Sequence, residues 1–111
     1  MDLQIEHLSD DVDRAIAIGR WDVPGAAQIE SRLSALSGSG RAIILDMSQV
    51  SFLSSMGMRS IVMAAKAVAL HKTKMALLAP NQHVWSVLTA SGIDTLVPIH
   101  TNLRRALAAV G

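Results

Sequence analysis

The stretch from Leu45 to Arg59, which reads LDMSQVSFLSSMGMR, indicates the fold of this chain most clearly. It begins at the end of an apolar run that predicts a buried strand, and after a short loop Ser54 and Ser55 precede an apolar, helix-like segment. A serine placed there is a good helix N-cap, because its hydroxyl can accept a hydrogen bond from an unpaired N–H of the first turn. The positive end of the helix dipole also favours a phosphate on either hydroxyl. The stretch therefore predicts a strand–loop–helix unit whose serines cap the helix or accept a phosphate.

Strands and helices alternate along the rest of the chain. Alternating or continuous apolar residues predict strands at 3–7, 12–18, 42–45, 75–79 and 96–99. Apolar residues at helical spacing predict helices that begin near residues 24, 56, 84 and 102. The order β-β-α-β-α-β-α-β-α predicts a single α/β domain over residues 1–111, with a mostly parallel central sheet of about five strands and about four helices. The first two strands are expected to form a hairpin, and Pro98 favours an edge position or a strand end for the last strand.

Polar residues mark the expected boundaries of these elements. Asp22 is a candidate cap of the first helix, with Pro24 in its first turn. Ser55 is the preferred cap of the second helix, and Ser54 is its competitor. Asp46 is expected to end a buried strand and to hydrogen-bond the loop that follows.

Composition limits the possible functions. The net charge of +1 and only three aromatic residues do not favour nucleic acid as a partner. The tryptophans, Trp21 and Trp85, are expected to be partly buried anchors, and an exposed contact is the alternative for either. No apolar run approaches the roughly 20 residues of a membrane span, so we expect a cytoplasmic domain without direct membrane insertion.

The chain also lacks the patterns of an enzyme or a metal site. It contains no cysteine, and its four histidines form no i, i+4 pair, so we expect neither a metal nor a cofactor. No Gly-x-Ser-x-Gly elbow is present, and no clear base accompanies Ser54 or Ser55. The lone Gly-x-Gly from Gly38 to Gly40 precedes a strand and is weak evidence for nucleotide binding. We therefore expect no catalytic residues. Ser48 and Ser51 are expected to be polar loop residues.

The helix after the two serines carries an unusual outer face. Arg59 and Lys66 define its expected solvent side, and Met63 lies between them. Adaptable methionine side chains are typical of partner-binding surfaces. An ordinary solvated face with isolated apolar residues is the alternative. The residues expected to face the sheet are Met58, Ile61, Ala65, Val68 and Ala69.

The stretch from Ile43 to Met58 resembles the signature of STAS domains, the bacterial anti-sigma-factor antagonists. That signature is an apolar strand, Asp-x-Ser-x-Val-x-Phe, and an Asp-Ser-Ser/Thr-Gly element that opens a helix. Here residues 46–57 read DMSQVSFLSSMG. The segment from Gly19 to Asp22 is similar to the family's Gly-x-Leu/Ile-Asp at the end of the second strand. Because the order of elements also matches, the resemblance covers nearly the whole chain.

This resemblance implies a protein that works by binding and not by catalysis. Members of the family bind an anti-sigma factor that is also a serine kinase, and binding frees the sigma factor. The kinase phosphorylates the residue just before the motif glycine, which weakens the complex, and a phosphatase resets the switch. Asp22 matches a family acid that lies near the switch loop.

The chain departs from the family at the phosphorylated position. Met56 precedes Gly57 and cannot accept a phosphate, while Ser54 stands at the motif's Asp and Ser55 matches its first serine. Either phosphorylation has moved to Ser55 or Ser54, or phosphorylation does not switch this protein. Met56 would keep an apolar contact at the partner surface and resemble a permanently unphosphorylated state.

The expected function is that of an anti-sigma-factor antagonist, and two alternatives stay open. One is a soluble STAS subunit that binds the ATPase of a lipid or solute ABC transporter. The other is a module that senses a small molecule or dimerises, and a weak homodimer is compatible with each reading. Met56 and Gly57 are expected near the centre of the partner surface. That expected surface consists of Asp22, Ser54, Ser55, Met56, Gly57, Arg59, Met63 and Lys66.

Overall fold

Strands and helices follow one another in the predicted order in the computed structural model, which describes residues 1–111. A 3-10 turn at Ile93–Thr95 separates the third helix from the last strand. None of the helices has the length and apolar character needed to cross a lipid bilayer. The elements are β1 (Asp2–His7), β2 (Val12–Trp21), α1 (Val23–Ser37), β3 (Ala42–Leu53), α2 (Ser55–Leu70), β4 (Met75–Leu78), α3 (Gln82–Ala90), β5 (Ile99–His100) and α4 (Leu103–Val110).

The five strands form one sheet in the order β1-β2-β3-β4-β5. β1 and β2 are antiparallel, as expected for a hairpin, and the other three pairings are parallel. β5 lies at an edge of the sheet, in agreement with the expectation from Pro98. The mostly parallel five-stranded α/β architecture is thus confirmed.

Helices cover both faces of the sheet. The larger apolar cluster joins one face to α1, α2 and α3, and a smaller cluster joins part of the other face to α4. Trp21 is fully buried in the larger cluster, so its predicted partial burial is wrong, whereas Trp85 is half-buried.

The inner face of α2 differs from the predicted one. The buried residues of this helix are Gly57, Ile61, Ala64 and Val68. Ala64 therefore faces the core, while the predicted Ala65 is half-buried and Ala69 is exposed.

The central strand β3 is much longer than its apolar run indicated. It pairs with β2 as far as Leu53, through register shifts that interrupt the simple alternation of side chains. Asp46, Ser48 and Ser51 therefore lie within the strand, and their prediction as a strand end and loop residues is wrong. Asp46 does hydrogen-bond the residues that follow, since its carboxylate accepts the N–H of Ser48 at 2.9 Å.

The last strand begins later than predicted. The segment 96–99 was expected to be extended, but Leu96 closes the 3-10 turn and the strand comprises only Ile99–His100. The turn hydrogen-bonds the N–H groups of Leu96 and Val97 to the carbonyl of Ile93, which removes them from the sheet.

Candidate functional site

Two helices begin side by side at one edge of the sheet. β2 ends at Trp21 and β3 ends at Leu53, and these two residues are paired in the parallel register. Asp22 and Ser54 follow them directly and cap α1 and α2. The positive ends of two helix dipoles therefore lie at this edge.

Ser54, and not the preferred Ser55, caps α2. The Ser54 hydroxyl accepts the N–H of Gly57 at 3.2 Å and donates to the carbonyl of Trp21 at 2.7 Å. The Ser54 N–H donates to the same carbonyl at 2.9 Å. Ser55 is the first residue of α2, is exposed, and its hydroxyl makes no hydrogen bond within the protein. Of the two serines, Ser55 thus has the free hydroxyl.

Gly57 allows α2 to begin directly against the core. A Cβ atom built on it would lie 2.7 Å from Leu53 Cδ1 and 2.9 Å from Trp21 Cγ, which is closer than side-chain atoms approach in folded proteins. Gly57 is buried, so Met56 and not Gly57 is exposed at this point, and the place of Gly57 near the centre of the partner surface stays a prediction. Its role is to fix the position from which Met56 projects.

Asp22 forms the corresponding cap of α1. Its carboxylate accepts the N–H of Gly25 at 2.8 Å and lies 3.5 Å from the Nε of Arg20. The Gly25 N–H and then the Arg20 guanidinium hold the pKa of Asp22 below its ordinary value. Arg20 also stacks on the ring of Phe52, with its guanidinium carbon 4.5 Å from the ring centre. The edge therefore presents a fixed carboxylate beside a fixed guanidinium.

A groove of about 290 Å³ lies between the C-terminal half of α1 and residues 56–67 of α2. We call it the α1–α2 groove. Met56, which is 41% exposed, and Met63, which is 57% exposed, stand on its α2 wall. Arg59 lies between them, while Lys66 is exposed on α2 outside the lining of the groove. The lining consists of Glu30, Leu33, Ser34, Ser37, Met56, Arg59, Ser60, Met63, Ala64 and Ala67.

The α1 wall of this groove was not foreseen from the sequence. It comprises Glu30, Leu33, Ser34 and Ser37, which recur at helical spacing on one face of α1. That spacing was visible, but only the packing of α1 against α2 shows that this face meets Met56. The groove combines methionine side chains with one acidic and one basic residue, which suits binding of a protein surface.

Comparison with known proteins places this architecture in a family. The STAS domain model matches residues 6–106. The candidate anti-sigma factor antagonist BtrV of Bordetella bronchiseptica is 32% identical over 85 residues, which cover 76% of this chain and 72% of that protein.

Solved structures agree with the fold. An anti-sigma factor antagonist from Mycobacterium paratuberculosis superimposes with a TM-score of 0.88 at 24% identity, covering 98% of this chain and 92% of that one. The phosphorylated form of the Bacillus cell fate determinant SpoIIAA gives a TM-score of 0.73 at 19% identity, covering 97% and 98%. These two likenesses concern the fold, and the sequence matches carry the assignment: the chain belongs to the STAS domain family.

Proposed function

We propose that this protein is an anti-sigma-factor antagonist, which binds an anti-sigma factor and thereby frees a sigma factor. Membership of the STAS family and the similarity to BtrV support this function. The observation that carries it is the position of Met56, half-exposed at the start of α2 and on the rim of the α1–α2 groove. The resemblance to the family motif implies that the side chain at this position controls partner binding.

The proposed partner surface follows the outer face of α2 from its first turn. Met56 and Met63 supply flexible apolar contacts, and Arg59 supplies a charge between them. Glu30 adds a carboxylate from the α1 wall, so both signs of charge are available to fix the orientation of a partner. Lys66 extends this surface along α2, while Asp22, Ser54 and Ser55 border it at the sheet edge.

We propose further that phosphorylation does not switch this surface. Met56 has no hydroxyl, and its thioether keeps the apolar contact that a phosphate would destroy. The Ser54 hydroxyl is committed to the Trp21 carbonyl and to the Gly57 N–H. If a kinase and a phosphatase do act on this protein, Ser55 is the favoured acceptor, because its hydroxyl is free.

A second candidate function is that of a STAS subunit bound to the ATPase of a lipid or solute transporter. The methionine at the acceptor position favours this reading too, because such a subunit needs no phosphate switch. A small-molecule sensor is a third possibility, which a ligand-dependent rise in melting temperature would reveal.

Affinity capture from the native cell distinguishes these functions. The wild-type protein and a Met63→Asp variant serve as matched baits, and mass spectrometry identifies the captured proteins and any phosphate on Ser54 or Ser55. We expect an anti-sigma factor to be captured by the wild type alone, without phosphoserine. A transporter ATPase in its place would contradict the antagonist function, and phosphate on Ser55 would contradict constitutive binding.

A further inference from the structure

Charge is distributed unevenly along this chain. The residues from Met56 onwards carry six basic side chains and only one acidic one, Asp94, although the whole chain has a net charge of only +1. Arg59 belongs to the α1–α2 groove at one end of α2. Lys72 and Lys74 lie just beyond the other end of this helix, and both are exposed. Neither lysine takes part in an ion pair, so their charges are available to a partner.

A second groove, of about 210 Å³, lies beside these lysines, between the C-terminal half of α2 and the segment before β5. We call it the α2–β5 groove. Its lining is mostly apolar and includes Ala65, Ala69, Met75, Leu96, Pro98 and Ala109, with Lys74 at its edge.

One large apolar side chain in the lining of this groove is exposed, and another follows Ala69 of the lining in sequence. Leu70, at the end of α2, is 84% exposed, and Leu96, in the groove lining, is 67% exposed. They are the most exposed of the large hydrophobic residues of the protein. Apolar side chains beside unpaired positive charges form a surface that is stabilised when a partner of complementary character covers it.

The backbone conformation at Lys72 also supports a role for its charge. Lys72 has a φ angle of 59°, in the left-handed region just after the helix, where glycine is the residue that fits at least conformational cost. A lysine at this position contributes a charge beside the groove that glycine would lack. The substitution Lys72→Gly therefore removes the charge without disturbing the turn.

We propose that the α2–β5 groove docks an acidic protein segment that inserts an apolar side chain between Leu96 and Ala69. The concave, mostly apolar lining fits an inserted side chain better than a flat lipid surface, and Lys72 and Lys74 pair with carboxylates beside it. The site lies at the opposite end of α2 from Ser55, and the 16 residues of this helix extend about 24 Å. No residue lines both grooves, although their stretches on α2, 56–67 and 65–69, overlap along the helix. This inference does not depend on the proposed antagonist function.

A labelled peptide built only of glutamate and leucine tests the proposal, with a peptide of lysine and leucine as its control. Fluorescence anisotropy measures affinity, and amide chemical shifts in ¹⁵N spectra locate the site. We expect the acidic peptide alone to bind, to shift the amides of Ala69, Lys74 and Leu96, and to bind more weakly as salt rises from about 50 to about 300 mM. Absence of binding, or shifts confined to the first turn of α2, would overturn the proposal.

Charge-removing variants sharpen this test. Lys72→Gly combined with Lys74→Gln is expected to weaken the acidic peptide about tenfold, whereas Arg104→Gln, an exposed control outside the groove, leaves affinity unchanged. Leu96→Ser is a second variant, and the melting temperature of each verifies folding. Undiminished affinity in both folded variants would refute the site. Binding to phosphatidylserine vesicles without peptide binding would also refute it and identify a lipid surface as the occupant.

Discussion

The two adjacent serines at the start of α2 give a sharp test of the structure. Ser54→Ala removes two hydrogen bonds, one from the Gly57 N–H to its hydroxyl and one from its hydroxyl to the Trp21 carbonyl. Loss of an N-cap costs about 1 kcal/mol. Loss of the second bond adds about 1 kcal/mol at most, because the Trp21 carbonyl keeps the Ser54 N–H as a donor. We expect Ser54→Ala to lower the free energy of unfolding by about 1–2 kcal/mol.

Ser55→Ala is the matched control. The Ser55 hydroxyl is exposed and makes no hydrogen bond within the protein, and alanine has the higher helix propensity, so we expect a change within about 0.5 kcal/mol. Urea unfolding followed by circular dichroism measures both variants. An unfolding entropy of about 0.23 kcal/mol per kelvin for a chain of this length converts about 1–2 kcal/mol into a fall in melting temperature of about 4–9 °C for Ser54→Ala.

Equal losses in the two variants, or a larger loss in Ser55→Ala, would refute the assignment of the cap. An unchanged slope of the urea transition in Ser54→Ala would show that the loss lies in the folded state and not in a less compact unfolded one.

Other substitutions test the core, the surface and the buried charge. Gly57→Ala is expected to destabilise the fold by about 1–3 kcal/mol, since its Cβ would overlap the core, whereas Gly38→Ala, with a nearest contact of 3.3 Å, stays within about 0.5 kcal/mol in the same urea assay. Met63→Asp, at a side chain 57% exposed, is expected to weaken partner binding in calorimetry without lowering the melting temperature; retained affinity would remove Met63 from the interface. Burial alone would raise the pKa of Asp46, but hydrogen bonds from Ser48 and from the Arg14 guanidinium hold this pKa below its ordinary value. A lowered pKa stabilises the fold at pH values above the pKa of the same group in the unfolded chain, and this stabilisation is lost as the pH falls through the folded-state pKa. Asp46→Asn should therefore reduce the free energy of unfolding at neutral pH and flatten its decline in acid. An unchanged acid profile would contradict this role.

The sequence was sufficient for the architecture because hydrophobic periodicity reports burial directly. The continuous apolar run from Ala42 to Leu45 indicated a central strand, and Pro98 indicated an edge or a strand end. The sequence did not predict the full length of β3, because register shifts against β2 break the alternation of side chains that marks a strand. Asp46 lies within that strand, and its burial depends on Arg14, 32 residues earlier in the chain.

Only the α2 wall of the α1–α2 groove was predicted from the sequence. Met56, Arg59 and Met63 were recognisable from their spacing on one helix, but the groove that they line needs α1 as its second wall. The choice between Ser54 and Ser55 as the cap could not be made from sequence, because the two side chains are identical. The carbonyl of Trp21, contributed by the neighbouring strand, favours Ser54.

The central claim is that the outer face of α2 at the α1–α2 groove binds an anti-sigma factor without phosphate control. Isothermal titration of the captured anti-sigma factor with the wild type and with Met56→Ser tests it most directly, before and after incubation with ATP. We expect the wild type to bind equally in both conditions and Met56→Ser, with its acceptor restored, to lose affinity about tenfold or more after ATP. Loss of wild-type affinity after ATP, or no affinity in either condition, would contradict the account.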